Sequence, residues 1–301
     1  MLRELQSARV FTPGSRCLIG RHPACDLQSD NPHISGEHAS LRWIGSRWEL
    51  RDLSSRNGTY VEGKRLAPGE RVCLSAGSTF TLGGKTHGYV LLDATPPAAS
   101  ARQTKTGLIR RSTGGLLVLP ADESPRVTIF EDRIGQWVAE TENESRVVTD
   151  HEIVIVDGEG WLLDLPSSAP PTLEGGLSAL MLEPLSLRFG VSRDEEHVEV
   201  TVVHQGLAKQ LAPRSYHYLL LTLARARLAD TEASDAERGW VHRDELCRML
   251  ATDLSKLNVD VFRARKQLGA LGIHGAAEII ARRPDTGQIR LGIDRVEVVK
   301  L

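Results

Sequence analysis

Short apolar segments, each ended by turn residues, dominate the first 93 residues and set the fold of this part of the chain. Segments such as CLIG, HASLRW and RWELRDL alternate apolar and polar positions, which is the period of a β-strand with one buried face. Gly, Asn, Asp and Pro separate these segments. Strands this short and this numerous are typical of a β-sandwich or barrel. We therefore expect an all-β domain over residues 1–93.

Three polar motifs lie between these strands in a fixed order. Gly20-Arg21 follows a strand, Ser35-Gly36-Glu37-His38 leads into one, and Ser55-Arg56-Asn57-Gly58-Thr59 joins two. In order and spacing the motifs resemble those of the forkhead-associated (FHA) domain. The resemblance covers residues 1–93. It implies a β-sandwich that binds phosphothreonine peptides with the loops at one end.

The resemblance also implies a role for each loop residue. A phosphate carries a charge of about −1.5 to −2 and three acceptor oxygens, which the guanidinium of Arg21 and the hydroxyl of Ser35 are expected to bind. Asn57 is expected to bind the peptide backbone, and Ser55 and Arg56 are predicted as further peptide contacts. Three residues match family positions that support the loops: Gly20, His38 and Gly58.

Two positions depart from the family pattern. Gly36 stands where the family often has Arg, which removes one cation for the phosphate. Arg56 stands where the family often has Thr, and its charge is expected to replace that cation from another loop. We expect phosphopeptide binding to be retained; the alternative is a degenerate domain that serves only as a spacer.

The central part of the chain is predicted as a small β-rich module between two linkers. Residues 94–106 and 167–184 are rich in Pro, Ala, Ser and Thr or Gly, as expected of solvated linkers. Residues 107–166 return to strand patterning. Residues 94–180 carry 7 Lys+Arg against 13 Asp+Glu, so the module is acidic. The sequence leaves open whether this module is an independent domain.

Residues 185–301 combine a strand group, a long helix, a short helix, a helix over 255–270 and a terminal hairpin. The long helix is predicted because Tyr216, Leu219, Leu220 and Leu223 share one stripe. This order of elements resembles the OmpR-type winged helix, the effector half of many bacterial response regulators. The resemblance rests on order and pattern rather than on invariant residues.

The helix over 255–270 matches the recognition helix of that family. At 100° per residue, Leu257, Val261, Ala264 and Leu268 share a face that is predicted to be buried. The opposite face and the hairpin are predicted to contact DNA through the following residues: Ser255, Phe262, Arg263, Lys266, Arg282, Arg283 and Arg290. Residues 240–295 carry ten Lys+Arg and seven Asp+Glu, which favours modest DNA affinity. An outward Phe262 equally suits a protein partner.

Whole-chain properties narrow the function classes. A net charge of −2 excludes a strongly basic nucleic-acid coat. No apolar run approaches the ~20 residues of a membrane helix, and no secretory signal begins the chain. The four cysteines lack CxxC spacing, which fits a reducing cytoplasm. No catalytic or metal-ligand constellation is recognisable, so we expect no enzymatic activity, no metal and no cofactor.

These patterns predict a cytoplasmic bacterial signalling protein with several domains, mainly β with an α+β C-terminal part. Its FHA domain is expected to read phosphothreonine on a Ser/Thr kinase or its substrate, and its winged helix to regulate transcription by binding DNA. The alternative is a phospho-dependent adaptor whose winged helix binds a protein. Thr95, Thr104 and Thr106 are candidate phosphosites for self-association. The acidic module is a candidate for autoinhibitory pairing with basic residues on either side.

Overall fold

The computed structural model describes most of the chain. The described residues are 1–84, 87–166, 185–204, 206–235, 237–273 and 275–301. They are mainly β, with three α-helices among them. None of the helices in these ranges combines the length and the apolar character that crossing a membrane requires. The linker predicted over 167–184 lies outside the described residues.

The described residues divide into two compact units. Unit 1 contains residues 1–102, 150–153 and 162–166. Unit 2 contains residues 103–149, 154–161 and the described part of 185–301. Most of the central acidic segment therefore belongs to the same unit as the C-terminal elements, rather than forming a unit of its own.

Eleven strands run through residues 1–93, separated by turns. They are β1 (Leu2–Glu4), β2 (Val10–Phe11), β3 (Arg16–Gly20), β4 (Leu27–Gln28), β5 (Ala39–Ile44), β6 (Arg47–Asp52), β7 (Thr59–Val61), β8 (Lys64–Arg65), β9 (Arg71–Leu74), β10 (Thr79–Leu82) and β11 (Gly88–Leu91). One sheet has the order β2-β1-β11-β10-β7-β8 and the other the order β4-β3-β5-β6-β9.

The alternation along these strands gives the two sheets a common core. In the antiparallel pair of β5 and β6, Trp43 lies opposite Trp48, and the two indoles pack edge to face with centroids 5.6 Å apart. Phe80 of the other sheet is buried in the same cluster and stacks on Tyr89. The β-sandwich expected from the sequence fits this arrangement, because side chains of both sheets share one buried cluster.

Eight strands follow in the central segment. They are β12 (Ser100–Gln103), β13 (Ile109–Arg111), β14 (Leu117–Ala121), β15 (Ser124–Glu131), β16 (Trp137–Glu140), β17 (Ser145–Val147), β18 (Ile153–Val156) and β19 (Glu159–Asp164). Two four-stranded sheets have the orders β13-β12-β19-β18 and β14-β15-β16-β17. The linker predicted over 94–106 needs correction at β12, where the small side chains of Ser100 and Ala101 are buried.

The C-terminal elements of unit 2 alternate strands with helices. They are β20 (Leu185–Val191), β21 (Val198–His204), β22 (Leu207–Gln210), α1 (His217–Ala229), β23 (Val241–His242), α2 (Arg243–Met249), α3 (Leu254–Gly269), a 3₁₀ helix (Ala276–Ile279), β24 (Ile280–Arg283), β25 (Gln288–Leu291) and β26 (Arg295–Lys300). The sheets have the orders β22-β21-β20-β26 and β23-β25-β24.

Helix α3 is fixed at its start and along one face. The Asp253 carboxylate accepts a hydrogen bond from the backbone N of Lys256 at 2.7 Å, which satisfies one free donor of the first turn. Leu257, Val261 and Leu268 are buried, as the helical period predicts, in a core shared with α1 and with β20 and β21. This core is independent of a smaller apolar cluster on the opposite side of α3.

Candidate functional site

The three polar loops of unit 1 are tied together by hydrogen bonds at one end of the sandwich. The backbone N of Arg21 donates to the Ser35 carbonyl at 2.9 Å, and the backbone N of Arg56 donates to Ser35 Oγ at 3.1 Å. Asn57 Nδ2 donates to the His33 carbonyl at 2.8 Å. Arg21 and Arg56 are exposed. We call the surface formed by Arg21, Ser35, Arg56 and Asn57 the loop end; it is polar and carries two cations.

His38 supports the loop end from below. Its side chain is fully buried; Nδ1 accepts a hydrogen bond from the backbone N of Ser35 at 3.0 Å, and Nε2 lies 3.1 Å from the Gly58 carbonyl. Burial lowers the pKa of His38, so the ring is neutral, with Nε2–H as donor and Nδ1 as acceptor. A single imidazole thereby connects the second and third loops, the supporting role implied by the family pattern.

Ser55 does not lie on the loop end, contrary to the sequence prediction. It is 8% exposed, its hydroxyl donates to Asp52 Oδ1 at 2.6 Å and its backbone N donates to Asp52 Oδ2 at 3.1 Å. Thr59 Oγ1 donates to Asp52 as well. Burial alone would raise the pKa of Asp52, but the bonds from Ser55 and Thr59 outweigh it and hold the pKa below its usual value. Ser55 therefore shapes the third loop from inside.

The sequence analysis missed Asp52, whose carboxylate accepts the hydrogen bonds from Ser55 and Thr59. The position carried a recognisable signal, since a carboxylate at the end of a strand with a serine three residues later is a common turn arrangement. The sequence pattern places Asp52 within the strand segment RWELRDL and assigns it no other role.

Two glycines are required by close approach in these loops. A Cβ on Gly20 would lie 2.1 Å from the carbonyl oxygen of Gly36, closer than any real contact. Gly58 has φ +86°, and its Cβ would meet the Arg65 guanidinium at 2.5 Å. By contrast, no described heavy atom lies within 4 Å of a Cβ on Gly36. The first and second loops therefore meet backbone to backbone at Gly20, while Gly36 faces open space.

The contrast between Gly20 and Gly36 gives a matched stability test. We expect Gly20→Ala to lower the free energy of unfolding of the sandwich by about 1–3 kcal/mol, because the Gly36 backbone must move. Gly36→Ala is expected to stay within about 0.5 kcal/mol of the wild type. Hydrogen exchange of the slowest β3 and β5 amides in the full chain measures both. Equal effects of the two substitutions would contradict the close approach at Gly20.

The second group of candidate residues lies on α3 and on the hairpin of β24 and β25 in unit 2. The sequence placed Phe262 on the outward face of α3, but this side chain is only 4% exposed. It packs in the smaller apolar cluster with Val118 of β14 and Phe130 of β15. The prediction of an exposed Phe262 is wrong, because the sheet β14-β15-β16-β17 lies over this face of the helix.

The same sheet pairs its carboxylates with cations of α3 and β24. Lys266 forms an ion pair with Asp122. Glu140 binds Arg265 with 2.6 Å between Oε1 and NH1, and its Oε1 lies 3.3 Å from Nε of Arg282. Burial alone would raise the pKa of Glu140, but the two guanidinium groups outweigh it and hold the pKa below its usual value. Glu140 is therefore ionised and shared by two arginines.

The other two predicted hairpin cations are held by Trp240. The guanidinium carbons of Arg283 and Arg290 lie 4.5 and 4.6 Å from the centre of the indole ring, within the range of cation–π interactions. Arg283 also bonds to Glu237 at 2.7 Å. Of the seven residues predicted to contact DNA, only Ser255 and Arg263 are exposed. The sequence motifs single out neither Trp240 nor Glu140.

Comparison with known proteins identifies the domain that carries the loop end. The profile of the FHA domain matches residues 17–83, so an FHA domain lies at the N-terminus. The FHA domain-containing protein PS1 of Arabidopsis thaliana is 42% identical over 76 residues, which cover 25% of this chain and 5% of that protein. FhaB of Mycobacterium tuberculosis is 35% identical over 68 residues, 23% of this chain and 44% of FhaB. The chain thus spans less than half the length of either relative.

Solved structures match over the same part of the chain. One, from a structural and functional analysis of phosphothreonine-dependent FHA domain interactions, is 25% identical and covers 30% of this chain and 90% of its own, with a TM-score of 0.27. EmbR of Mycobacterium tuberculosis, in complex with a low-affinity phosphopeptide, is 24% identical and covers 32% of this chain and 24% of its own, with a TM-score of 0.29.

Proposed function

We propose that the FHA domain at residues 17–83 binds phosphothreonine peptides at the loop end. The observation that carries this proposal is the convergence of Arg21, Ser35 and Asn57, three residues from three separate loops, on one polar surface. Nε of Arg21 donates to the Ile34 carbonyl at 3.3 Å, which orients the guanidinium. Guanidinium groups bind phosphate through paired, charge-assisted hydrogen bonds, so an oriented arginine favours a phosphorylated ligand.

Ser35 supports the same proposal through the geometry of its hydroxyl. Ser35 Oγ accepts the hydrogen bond from the backbone N of Arg56, and a hydroxyl that accepts in this way keeps its own hydrogen for donation. A phosphate oxygen is a suitable acceptor for that hydrogen. The bond brings the backbone of Arg56 next to Ser35, and we expect the exposed guanidinium of Arg56 to supply the charge that Gly36 lacks. The partner is then a phosphothreonine-containing protein, a Ser/Thr kinase or its substrate.

The direct test compares phosphothreonine peptides with unmodified peptides of the same sequence, by fluorescence anisotropy on the full chain. We expect Arg21→Ala and Ser35→Ala each to weaken phosphopeptide binding by about tenfold or more, since each removes a bond to a charged group. Arg47→Ala, which removes an equal charge at the first residue of β6, at the other end of the strands, is the matched control and leaves affinity unchanged. Equal affinity for the two peptide forms would refute the proposal.

Gly36 provides a gain-of-function test of the same surface. Because open space surrounds its Cβ position, Gly36→Arg adds a cation to the loop end without disturbing the fold. We expect phosphopeptide affinity to rise by about threefold to tenfold and to become more sensitive to salt. Gly36→Gln, a long uncharged side chain, separates charge from size. If Gly36→Gln raises phosphopeptide affinity as much as Gly36→Arg does, the side chain at this position does not act through attraction to the phosphate charge.

Self-association through a phosphorylated segment is part of the proposal. Thr95, Thr104 and Thr106 are all exposed, and the last two lie in the turn between β12 and β13. Exposed threonines in a turn are accessible to a kinase. A phosphothreonine at one of them would offer the loop end of a second copy its ligand.

For residues 185–301 we propose a winged helix that regulates transcription in the bacterial cytoplasm by binding DNA. Support comes from the order of the three helices and the β24–β25 hairpin, and from Arg263 and Ser255, which are exposed on α3. The second candidate is a phospho-dependent adaptor whose winged helix binds protein. One observation favours it: of the residues predicted to contact DNA, only Ser255 and Arg263 are exposed, and only one of these two carries a positive charge.

DNA binding is tested by salt-dependent titration of a labelled mixed-sequence duplex. We expect Arg263→Ala with Lys266→Ala to weaken binding about tenfold, as loss of two phosphate contacts predicts, and to make the salt dependence shallower. Arg193→Ala with Lys209→Ala removes the same charge from exposed positions outside α3 and serves as control. Identical affinities of the two double variants would favour the adaptor.

A further inference from the structure

In unit 2, the sheet β14-β15-β16-β17, here called the acidic sheet, covers the side of α3 that faces away from its core. Residues 117–147, which span it, carry seven Asp+Glu against three Lys+Arg. Its carboxylates meet cations of three different elements. Asp122 pairs with Lys266 of α3, and Glu142 lies 3.4 Å from Arg243 of α2.

Glu140 is the centre of this interface. Its two oxygens accept hydrogen bonds from Arg265 NH1 and NH2 at 2.6 and 3.1 Å, and Arg282 of β24 approaches the same carboxylate. Glu140 and Arg265 are 8% and 2% exposed. One carboxylate therefore neutralises a cation of α3 and a cation of the hairpin together. These are the two elements that the proposed function brings to DNA.

The apolar part of the interface is small. Phe262 and Ala277 meet Leu116, Val118 and Phe130 in a cluster that is separate from the main core of unit 2. The main core, which holds Leu257 and Leu268 among others, contains no residue of the acidic sheet. Helix α3 therefore keeps its own packing if the acidic sheet moves away.

The contact is also incompletely filled. A cavity of about 140 Å³ lies between the acidic sheet and α3, lined by Thr128, Glu140, Asn258 and Arg282 among others. Protein cores pack with few spaces of this size, and a polar space this large has room for water molecules. A small apolar cluster, a shared carboxylate and a polar cavity describe a contact that can open.

We propose that the acidic sheet is an internal competitor for DNA. Its carboxylates at Asp122, Glu140 and Glu142 occupy the cations of α2, α3 and β24 in place of phosphates, and duplex DNA binds when the acidic sheet leaves. The proposal rests on the proposed DNA-binding function of α3. It explains why a helix with a DNA-reading pattern presents so few free cations: the chain supplies its own anions.

The experiment measures the affinity of the full chain for a labelled mixed-sequence duplex at low salt. Glu140→Gln leaves two buried guanidinium groups without their anion, and Asp122→Asn with Glu142→Gln removes the two more exposed pairs while leaving Glu140 in place. We expect both variants to bind at least tenfold more tightly than the wild type. Glu123→Gln with Glu144→Gln removes the same charge from the same two turns and is expected to leave affinity unchanged.

Hydrogen exchange of the β16 amides, measured on the same samples, reports whether the acidic sheet opens. Faster exchange together with tighter DNA binding supports the proposal, and the surface double variant gives this result even where Glu140→Gln fails to fold. If the wild type and both variants bind DNA with equal affinity, the acidic sheet does not compete with DNA, although DNA binding itself stands. If the β16 amides of the variants exchange faster but neither the wild type nor the variants bind DNA, both the competition by the acidic sheet and the proposed function of α3 are wrong.

Discussion

The ion pair between Glu140 and Arg265 decides what surface α3 presents. Removing two charges from water costs free energy that their attraction only partly returns, so such a pair adds little net stability. Losing one partner is different, because a buried charge without its counter-ion costs about 3–5 kcal/mol. The pair therefore acts mainly by excluding other placements of the acidic sheet on α3. The sheet packs in the register that brings one carboxylate to both Arg265 and Arg282.

The loop end of unit 1 is held by hydrogen bonds, whereas unit 2 uses ion pairs at α3. The neutral ring of His38 bonds the backbones of two loops, and Asp52 collects the hydroxyls of Ser55 and Thr59. These contacts fix the loops before any ligand arrives, which lowers the entropy cost of binding. Arg21 and Arg56 remain exposed above this framework. The two exposed cations thus lie on a framework that buried side chains and backbone groups hold in place.

Much of the fold of unit 1 could be predicted from the sequence because it depends on patterns among residues that are close together in the chain. Alternation of apolar residues defines the strands, and Gly20 and His38 belong to motifs whose spacing is short. Phe262 shows the limit of the same reasoning. The helical period separates the two faces of α3 correctly, since Leu257 and Leu268 are buried, but it assumes that the second face meets solvent. The partner of that face, around Phe130, lies more than a hundred residues away in sequence, and no periodicity connects them.

Counting Lys and Arg in the sequence does not give the number of cations available to DNA, for a related physical reason. The modest excess of Lys and Arg over residues 240–295 predicts modest DNA affinity only if each cation is free to meet a phosphate. The structure shows instead that Lys266, Arg265 and Arg282 already have carboxylate partners from a segment outside that range. Since the release of counter-ions drives non-specific DNA binding, cations paired within the protein contribute to it only after their pairs break. If α3 binds DNA as proposed, its affinity is governed less by its number of cations than by the free energy needed to separate it from the acidic sheet.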